Sequence, residues 1–483
     1  MGLKSLGVKG FFWNSIGTVG SGIVNLLVTM ILARMLTPQD FGVLAILIVF
    51  SLISDVIVDS GFSQSIIKER TTSQETLTSI FYVNILIALG LYIVLFALAP
   101  AIASFYKTPE LVSLSRVTFL TIIFNSIGLI PNALFNQDIN FKAPAYSALI
   151  SMIVAGALAV ALAYMGLGIW SLVCNLVVFS FLKSTLLCLQ NPWKPRGWIK
   201  LNSIKRHFQF GKHLLVQGLV DRIVTNLESL LIGKYYTKES LGYYSQSGKL
   251  NTYVSATSSS VLQRVTYPLL SKLSDSLAEL KAGFRKVFTW ACFFLFPIYT
   301  ILFFSAREVM VVLFGSQWAG AAPYLSLWSI SGLALSVYSL FINSFLILDQ
   351  TKLYMRLSLL KQGLKIVVVV TTIQISVFAV MWGVMITTLI TGGLYIAFSC
   401  RLLCYNFKEM CKDALQPLVA SSLCGLVIVL LGRIPLLTNS LEICKLLTYT
   451  AAAAILYLGF MLLVHNKTLF EILNLLPKRD TKL

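Results

Sequence analysis

The sequence predicts an all-α integral membrane protein of about fourteen transmembrane helices, and three observations carry that prediction. Of its 483 residues, 57% are hydrophobic and 12% charged, against about 25% charged in a soluble domain. Apolar runs of about 20 residues, the length that crosses a bilayer, follow one another almost end to end, separated by short polar breaks. Third, ILARMLTPQDFG at 31–42 is echoed by LIGKYYTKESLG at 231–242. The offset of 200 sets Thr37 against Thr237, Gly42 against Gly242, Arg34 against Lys234 and Leu32 against Ile232. A half-length repeat in a membrane protein points to two pseudo-symmetric lobes, the usual plan of a transporter with its site between them.

Taken in order, the chain opens with Lys4 and Lys9 before an apolar run. No small-residue cleavage site closes that run, so it reads as the first span and not as a signal peptide. The N-terminal lobe, 1–190, holds six predicted spans at about 11–33, 41–63, 78–103, 113–134, 144–165 and 167–189. A basic stretch at 191–209 with Pro192 and Pro195 forms a cytoplasmic linker. The C-terminal lobe, 210–404, holds six more at about 211–233, 241–263, 285–306, 321–347, 358–380 and 382–404. Two additional helices, about 415–436 and 443–465, and a tail ending PKRDTKL fill 405–483.

Basic residues set the orientation. With the amino terminus inside and the sides alternating, 28 Lys and Arg fall on the cytoplasmic side and 8 outside, with Arg222 and Lys249 left within spans. Both termini are therefore predicted cytoplasmic. The net charge of +19 belongs to these loops facing anionic lipid, so nucleic acid is not an expected partner. No loop is large enough to form a domain. The eight cysteines are scattered. Cys400, Cys404 and Cys411 cluster without a nearby histidine, so packing is the reading ahead of zinc.

Charges inside spans cost about 2.5–3.5 kcal/mol each at a helix centre and mark a protein interior or water. The candidates are Asp55 and Asp59 in the second span, Asp221, Arg222 and Glu228 in the seventh, and Lys249 in the eighth. At about 1.5 Å per residue, Arg222 lies roughly 18 Å and Asp55 roughly 21 Å below the outer end of their spans. Both are expected to face the space between the lobes, Arg222 meeting an anionic group with the planar donors that suit phosphate. Asp55, Asp59, Asp221 and Glu228 are the ion-coupling candidates. The competing reading is structural: Asp221 and Arg222 satisfy neighbouring polar groups, and Asp59 sits at a span end beside water. Asn14 and Asn25 lie among the small residues Ser15, Gly17, Gly20, Ser21 and Gly22 of the first span, where close helix packing competes with a cavity wall. Pro131, Pro297 and Pro323 are candidate kinks.

Catalytic patterns are weak. His207, His213 and His465 lie near predicted interfaces without a paired acid at a telling spacing, and no phosphate-binding loop is present. No cofactor is expected.

Several stretches carry a family resemblance. LARMLTPQDFGVLAI at 32–46, DSGFSQSIIK at 59–68, LGYYSQSGKL at 241–250 and VTYPLLSKLSD at 265–275 resemble the polysaccharide exporters of the multidrug/oligosaccharidyl-lipid/polysaccharide flippase superfamily. The branch is the one with the O-antigen, colanic acid and teichuronic acid exporters. The resemblance implies a multi-pass flippase of the bacterial inner membrane that moves a polyprenyl-diphosphate-linked oligosaccharide outward by alternating access. It also implies glycan polymerase and assembly proteins as partners, and a cation in the cavity, for which Arg222 and Lys249 are the candidates. A multidrug exporter of the same superfamily is the alternative, and its cationic substrates call for a cavity dominated by acids. A membrane polymerase or acyltransferase is disfavoured by the half-length repeat and the missing outer loop.

Overall fold

The computed structural model describes residues 3–69, 72–271, 273, 276–435, 440–466 and 468–471. The described residues form helices joined by turns and short extended segments. In chain order the helices are α1 (Leu3–Met35), α2 (Pro38–Asp59), α3 (Phe62–Lys68), α4 (Gln74–Phe105), α5 (Leu111–Thr118), α6 (Leu120–Gln137), α7 (Lys142–Tyr164), α8 (Ile169–Gln190), α9 (Leu201–Tyr235), α10 (Lys238–Ser271), α11 (Leu277–Phe304), α12 (Ala306–Phe314), α13 (Ala322–Ile347), α14 (Thr351–Thr372), α15 (Val377–Leu402), α16 (Phe407–Leu431) and α17 (Glu442–Leu463). Two compact units emerge, Met1–Ser245 and Gln246–Leu483.

Among the described residues, 11 helical segments are long and apolar enough to cross a membrane. Three helices predicted as spans, α9, α10 and α14, are long at 35, 34 and 22 residues but are not among them. Their sequences explain why. α9 carries Lys205, Arg206, Lys212, Asp221, Arg222 and Glu228; α14 carries Lys352, Arg356, Lys361 and Lys365; α10 is rich in Ser, Thr and Gln.

The two repeated turns share their chemistry. Thr37 caps α2 in a reciprocal box: the Asp40 amide donates to Thr37 Oγ1 at 3.3 Å, and the Thr37 amide donates to Asp40 Oδ2 at 2.9 Å. Thr237 does the same work for α10, accepting from the Ser240 amide at 3.2 Å. The Thr37 box satisfies two amides and Thr237 one, groups that the first turn of a helix leaves without a partner. The turns also touch. A Cβ on Gly42 would run into the Lys238 carbonyl, and a Cβ on Gly242 into the Pro38 carbonyl. The two glycines are therefore a symmetric backbone-to-backbone contact that no side chain fits. Lys238 Nζ reinforces it by donating to the Tyr106 carbonyl at 3.0 Å and the Gly233 carbonyl at 2.5 Å.

In the first unit, the small residues of α1 meet α7: Gly17 lies against Ala145, Gly20 against Leu149, and Gly156 against Val28. α2 stops at Ser60 and Gly61, both left-handed at φ 45° and 75°. The break frees α3 as a separate short helix. Gly61 abuts Gly211 of α9, where a Cβ on either would meet backbone atoms. The basic stretch after α8 is strapped across the start of α4. Gln74 Nε2 donates to the Lys194 carbonyl at 2.6 Å, the Lys200 amide donates to Ser79 Oγ at 2.9 Å, and Trp193 packs edge-on against Phe81.

In the second unit, α11 and α13 share an aromatic core that includes Phe284, Phe288, Tyr299 and Phe341. α16 and α17 dock on α11 through Phe293, Cys424, Tyr449, Tyr457 and Met461. An ion pair fixes the junction: Arg285 Nε and Nη2 donate to the two Asp413 oxygens at 2.8 Å each, and Tyr405 Oη donates to Asp413 Oδ2 at 2.6 Å. Of the prolines, Pro131 and Pro297 lie within α6 and α11, while Pro323 stands in the first turn of α13. There it starts a helix, where its missing N–H costs nothing, so it is not the kink the sequence predicted.

Candidate functional site

A cavity of about 820 Å³ opens in the first unit, lined by α2, α3, α6, α8 and α9. Its walls come from the later parts of α2 and α8, from α6 between Thr121 and Asn132, and from the middle of α9. It therefore reaches the end of the unit where α2 and α8 finish and α3 begins.

Four of the residues singled out in the sequence line it together: Asp55, Asp59, Asp221 and Arg222. Asp55, on α2, is half-buried and held by an amide: Asn125 Nδ2 donates to Oδ1 at 3.1 Å and to Oδ2 at 3.4 Å. Asp59 has a structural task as well. Its Oδ1 accepts the Ser63 amide at 3.0 Å, fastening the start of α3 where the backbone turns at Gly61. Asp221 and Arg222 are exposed on α9. The Arg222 carbonyl accepts from Asn226 Nδ2 at 2.8 Å, and its guanidinium forms no hydrogen bond or ion pair among the described residues. Arg222 is near enough to Asp55 for the two charges to interact.

The cavity also holds a cation that the sequence reading assigned to a cytoplasmic loop. Lys183 is half-buried in α8, lines the same space, and interacts electrostatically with Asp55. It sits seven residues before the last residue of α8, Gln190, about 10 Å inside the helix at 1.5 Å per residue. Counting it with the residues after the span hid it. Its depth within the apolar run was the available signal.

Other candidates lie elsewhere. Asn25, on α1, and Glu228, on α9, are not part of the cavity wall; Glu228 is buried, 2% exposed. Lys249 is exposed on α10 in the second unit. The side chain of Asn14 lies outside the described residues. Among the described residues there is no group of three potential metal ligands, and the eight cysteines are all free thiols.

At the edge of the cavity, α3 and α9 are joined by polar contacts. His207 is 4% exposed. Its Nδ1 pairs with Ser65 Oγ at 2.8 Å, and its Nε2 lies 3.4 Å from a Glu69 oxygen. Burial lowers the imidazole below its ordinary value, against the pull of the Glu69 carboxylate, and Arg206 pushes the same way as burial.

A family model described as polysaccharide biosynthesis protein matches residues 31–323, more than half of the sequence. The chain belongs to this family. It is 24% identical over 329 residues to the teichuronic acid biosynthesis protein TuaB of Bacillus subtilis, covering 68% of each chain. It is 26% identical over 330 residues to the succinoglycan biosynthesis transport protein ExoT of Rhizobium meliloti, covering 68% of this chain and 67% of the relative. The lipopolysaccharide biosynthesis protein WzxC of Escherichia coli is 22% identical over 346 residues, 70% of this chain and 69% of WzxC. Among solved structures, the lipid II flippase MurJ in an inward closed conformation matches with a TM-score of 0.75 at 16% identity, over 93% of this chain and 98% of MurJ. An inward-facing multidrug resistance transporter of the MATE family matches at 0.54 and 12% identity, over 82% of this chain and 98% of that one. The family member described here is thus a multi-pass membrane protein that shares its fold with solved MurJ and MATE transporters.

Proposed function

We propose that the protein is a flippase that carries a polyprenyl-diphosphate-linked oligosaccharide across the bacterial inner membrane for surface polysaccharide synthesis. One observation carries the reading most directly: a family member with the fold of a lipid II flippase has a cavity into which Lys183 and Arg222 project positive charge. A diphosphate needs cations in a sheltered site, and the planar guanidinium is matched to phosphate oxygens. The same wall carries three carboxylates, Asp55, Asp59 and Asp221, so charge count does not separate this reading from a multidrug cation exporter; membership of the polysaccharide biosynthesis family favours the flippase.

The finer topology belongs to the same proposal. Fourteen spans with both termini inside follow if α9, α10 and α14 cross the membrane with their polar faces turned to protein or water. The lobes are then 1–190 and 210–404, joined by the basic stretch 191–209, with two additional helices in 405–483. That orientation places the cavity in the cytoplasmic half, open to a headgroup made in the cytoplasm, while the Gly42–Gly242 contact lies at the outer end. Lipids of the inner leaflet, a glycan polymerase and assembly proteins are the partners that follow.

The test is a chromosomal deletion complemented by variants. Loss of the protein should leave undecaprenyl-linked oligosaccharide units on the cytoplasmic leaflet, and Arg222→Ala should fail to restore export while reaching the membrane in normal amount. Normal surface glycan in the deletion strain would refute the reading.

A further inference from the structure

The cavity's charges do not simply add up to a cationic pocket. Asp59 is committed to the Ser63 amide. Asp221 stands exposed on α9. Asp55 is the carboxylate on which both cations act, Lys183 from α8 and Arg222 from α9. Yet neither cation lies within ion-pair distance of it among the described residues; the carboxylate is held by Asn125 through both of its oxygens. One anion is fixed in place by a neutral amide. Two cations are near it and not locked to it.

That arrangement suits exchange. Coulomb attraction draws Lys183 and Arg222 toward Asp55 while the cavity is empty. A ligand phosphate brings more charge and more acceptor oxygens, and it can take both cations without breaking a bidentate pair first. A carrier must also let go of its cargo: a site with two cations and no internal competitor would bind a diphosphate too well to release it. Binding energy that is common to every step of a cycle slows the step that ends it.

We infer that Asp55 is the resident counter-anion of the cavity: it holds Lys183 and Arg222 in the empty state, gives them up to the phosphate groups of an anionic ligand, and reclaims them on release. Asn125 is its positioning residue. The inference rests on the proposed diphosphate cargo for its biological meaning, but the anion exchange itself does not.

The experiment uses the full-length protein in lipid nanodiscs, titrated with geranyl diphosphate and, separately, with inorganic pyrophosphate and sulfate. Asp55→Asn keeps the shape and can still pair with Asn125, and it should bind geranyl diphosphate at least 10-fold more tightly than the wild type, with slower release. Lys183→Gln and Arg222→Gln should each bind it at least 10-fold more weakly. Asn125→Ala frees Asp55 to close on the cations and should weaken binding, a change opposite in sign to Asp55→Asn. A merely structural role for Asp55 would weaken binding or leave it unchanged. If the wild type binds geranyl diphosphate and Asp55→Asn binds it no better, the counter-anion is refuted and the flippase reading stands. If Asp55→Asn gains affinity for sulfate and pyrophosphate while neither protein favours the prenyl diphosphate, the counter-anion stands and the cargo assignment falls. If no anion binds either protein, both fall.

Discussion

Two arginines in different parts of the molecule show how the same side chain serves two purposes. Arg285, where α11 meets α16, is closed on Asp413 by two bonds of 2.8 Å, and Tyr405 holds the far side of that carboxylate. Arg222, at the cavity, acts on a carboxylate, Asp55, that is held by Asn125, and makes no such closure. Planar, bidentate pairing spends the donors of a guanidinium on the fold. Leaving them unspent keeps them for a ligand. The sequence alone ranks Arg222 as the stranger of the two, because it lies deeper in a predicted span. Partner geometry says why that strangeness matters.

The contrast can be broken or sharpened by substitution. The largest effect should come from Arg222→Ala, which is expected to abolish transport in a complementation assay while leaving the melting temperature of the purified protein within about 2 °C of wild type, since surface changes away from packing stay within about 0.5 kcal/mol. Asp413→Ala should do the reverse. It leaves Arg285 and Tyr405 without their acceptor, and because Arg285 is partly exposed a screened loss of about 1–3 kcal/mol is expected, read as a lower midpoint in thermal unfolding. A protein with Asp413→Ala that is as stable as wild type would undo the assignment of that pair to the fold.

A third substitution probes packing in place of charge. Gly42→Ala or Gly242→Ala pushes a methyl into a backbone carbonyl of the opposite turn, and overpacking of this kind costs about 1–3 kcal/mol. Intermolecular readouts are not needed; thermal unfolding in detergent suffices, and each single variant should be less stable than wild type. His207 offers a pH test. Its native value is lowered, so the folded state resists taking the proton that the unfolded chain accepts at about pH 6.5. Stability contributed by the neutral imidazole is present above that pH and is lost as the pH falls through and below it. Unfolding followed from pH 7.5 to 5.5 should show this loss, and His207→Gln should flatten it. The smallest effect belongs to Lys200→Ala. Its pair with Glu75 spans 2.8 Å but leaves both side chains about 60% exposed, so less than about 0.5 kcal/mol should change.

Much of this was legible beforehand, for identifiable reasons. Helix formation by long apolar runs needs no tertiary information, and the 200-residue echo located both capped turns. That the turns touch each other was invisible, because a pair of glycines in sequence looks the same whether it faces solvent or a backbone. Asp59 reads in the sequence as an ion-coupling candidate or a charge at a span end, yet its carboxylate also accepts the Ser63 amide at the start of α3; the DSGF stretch gives no separate signal for a helix as short as seven residues. Lys183 lies inside the predicted span 167–189 but is counted with the cytoplasmic residues. The basic stretch read as a linker proved to be bonded along α4, since Thr78 and Ser79 are unremarkable until something lies across them. Asp55 and Arg222 stand out in the sequence for their expected depth, and both line the cavity, whereas Asn125, which holds Asp55, is an ordinary polar residue in sequence.

The polarity of α9 has a consequence for how the chain is made. On the fourteen-span topology, a helix bearing Lys212, Asp221, Arg222 and Glu228 cannot enter lipid by its own partitioning, because each central charge carries a penalty of about 2.5–3.5 kcal/mol. The helices it rests on, α2, α3 and α4, are synthesised first and are waiting when it emerges from the ribosome. Biogenesis is then ordered by the same contacts that shape the cavity: the early helices act as the intramolecular chaperone of the later one, and a nascent chain deprived of them should stall at α9 and be cleared by membrane quality control.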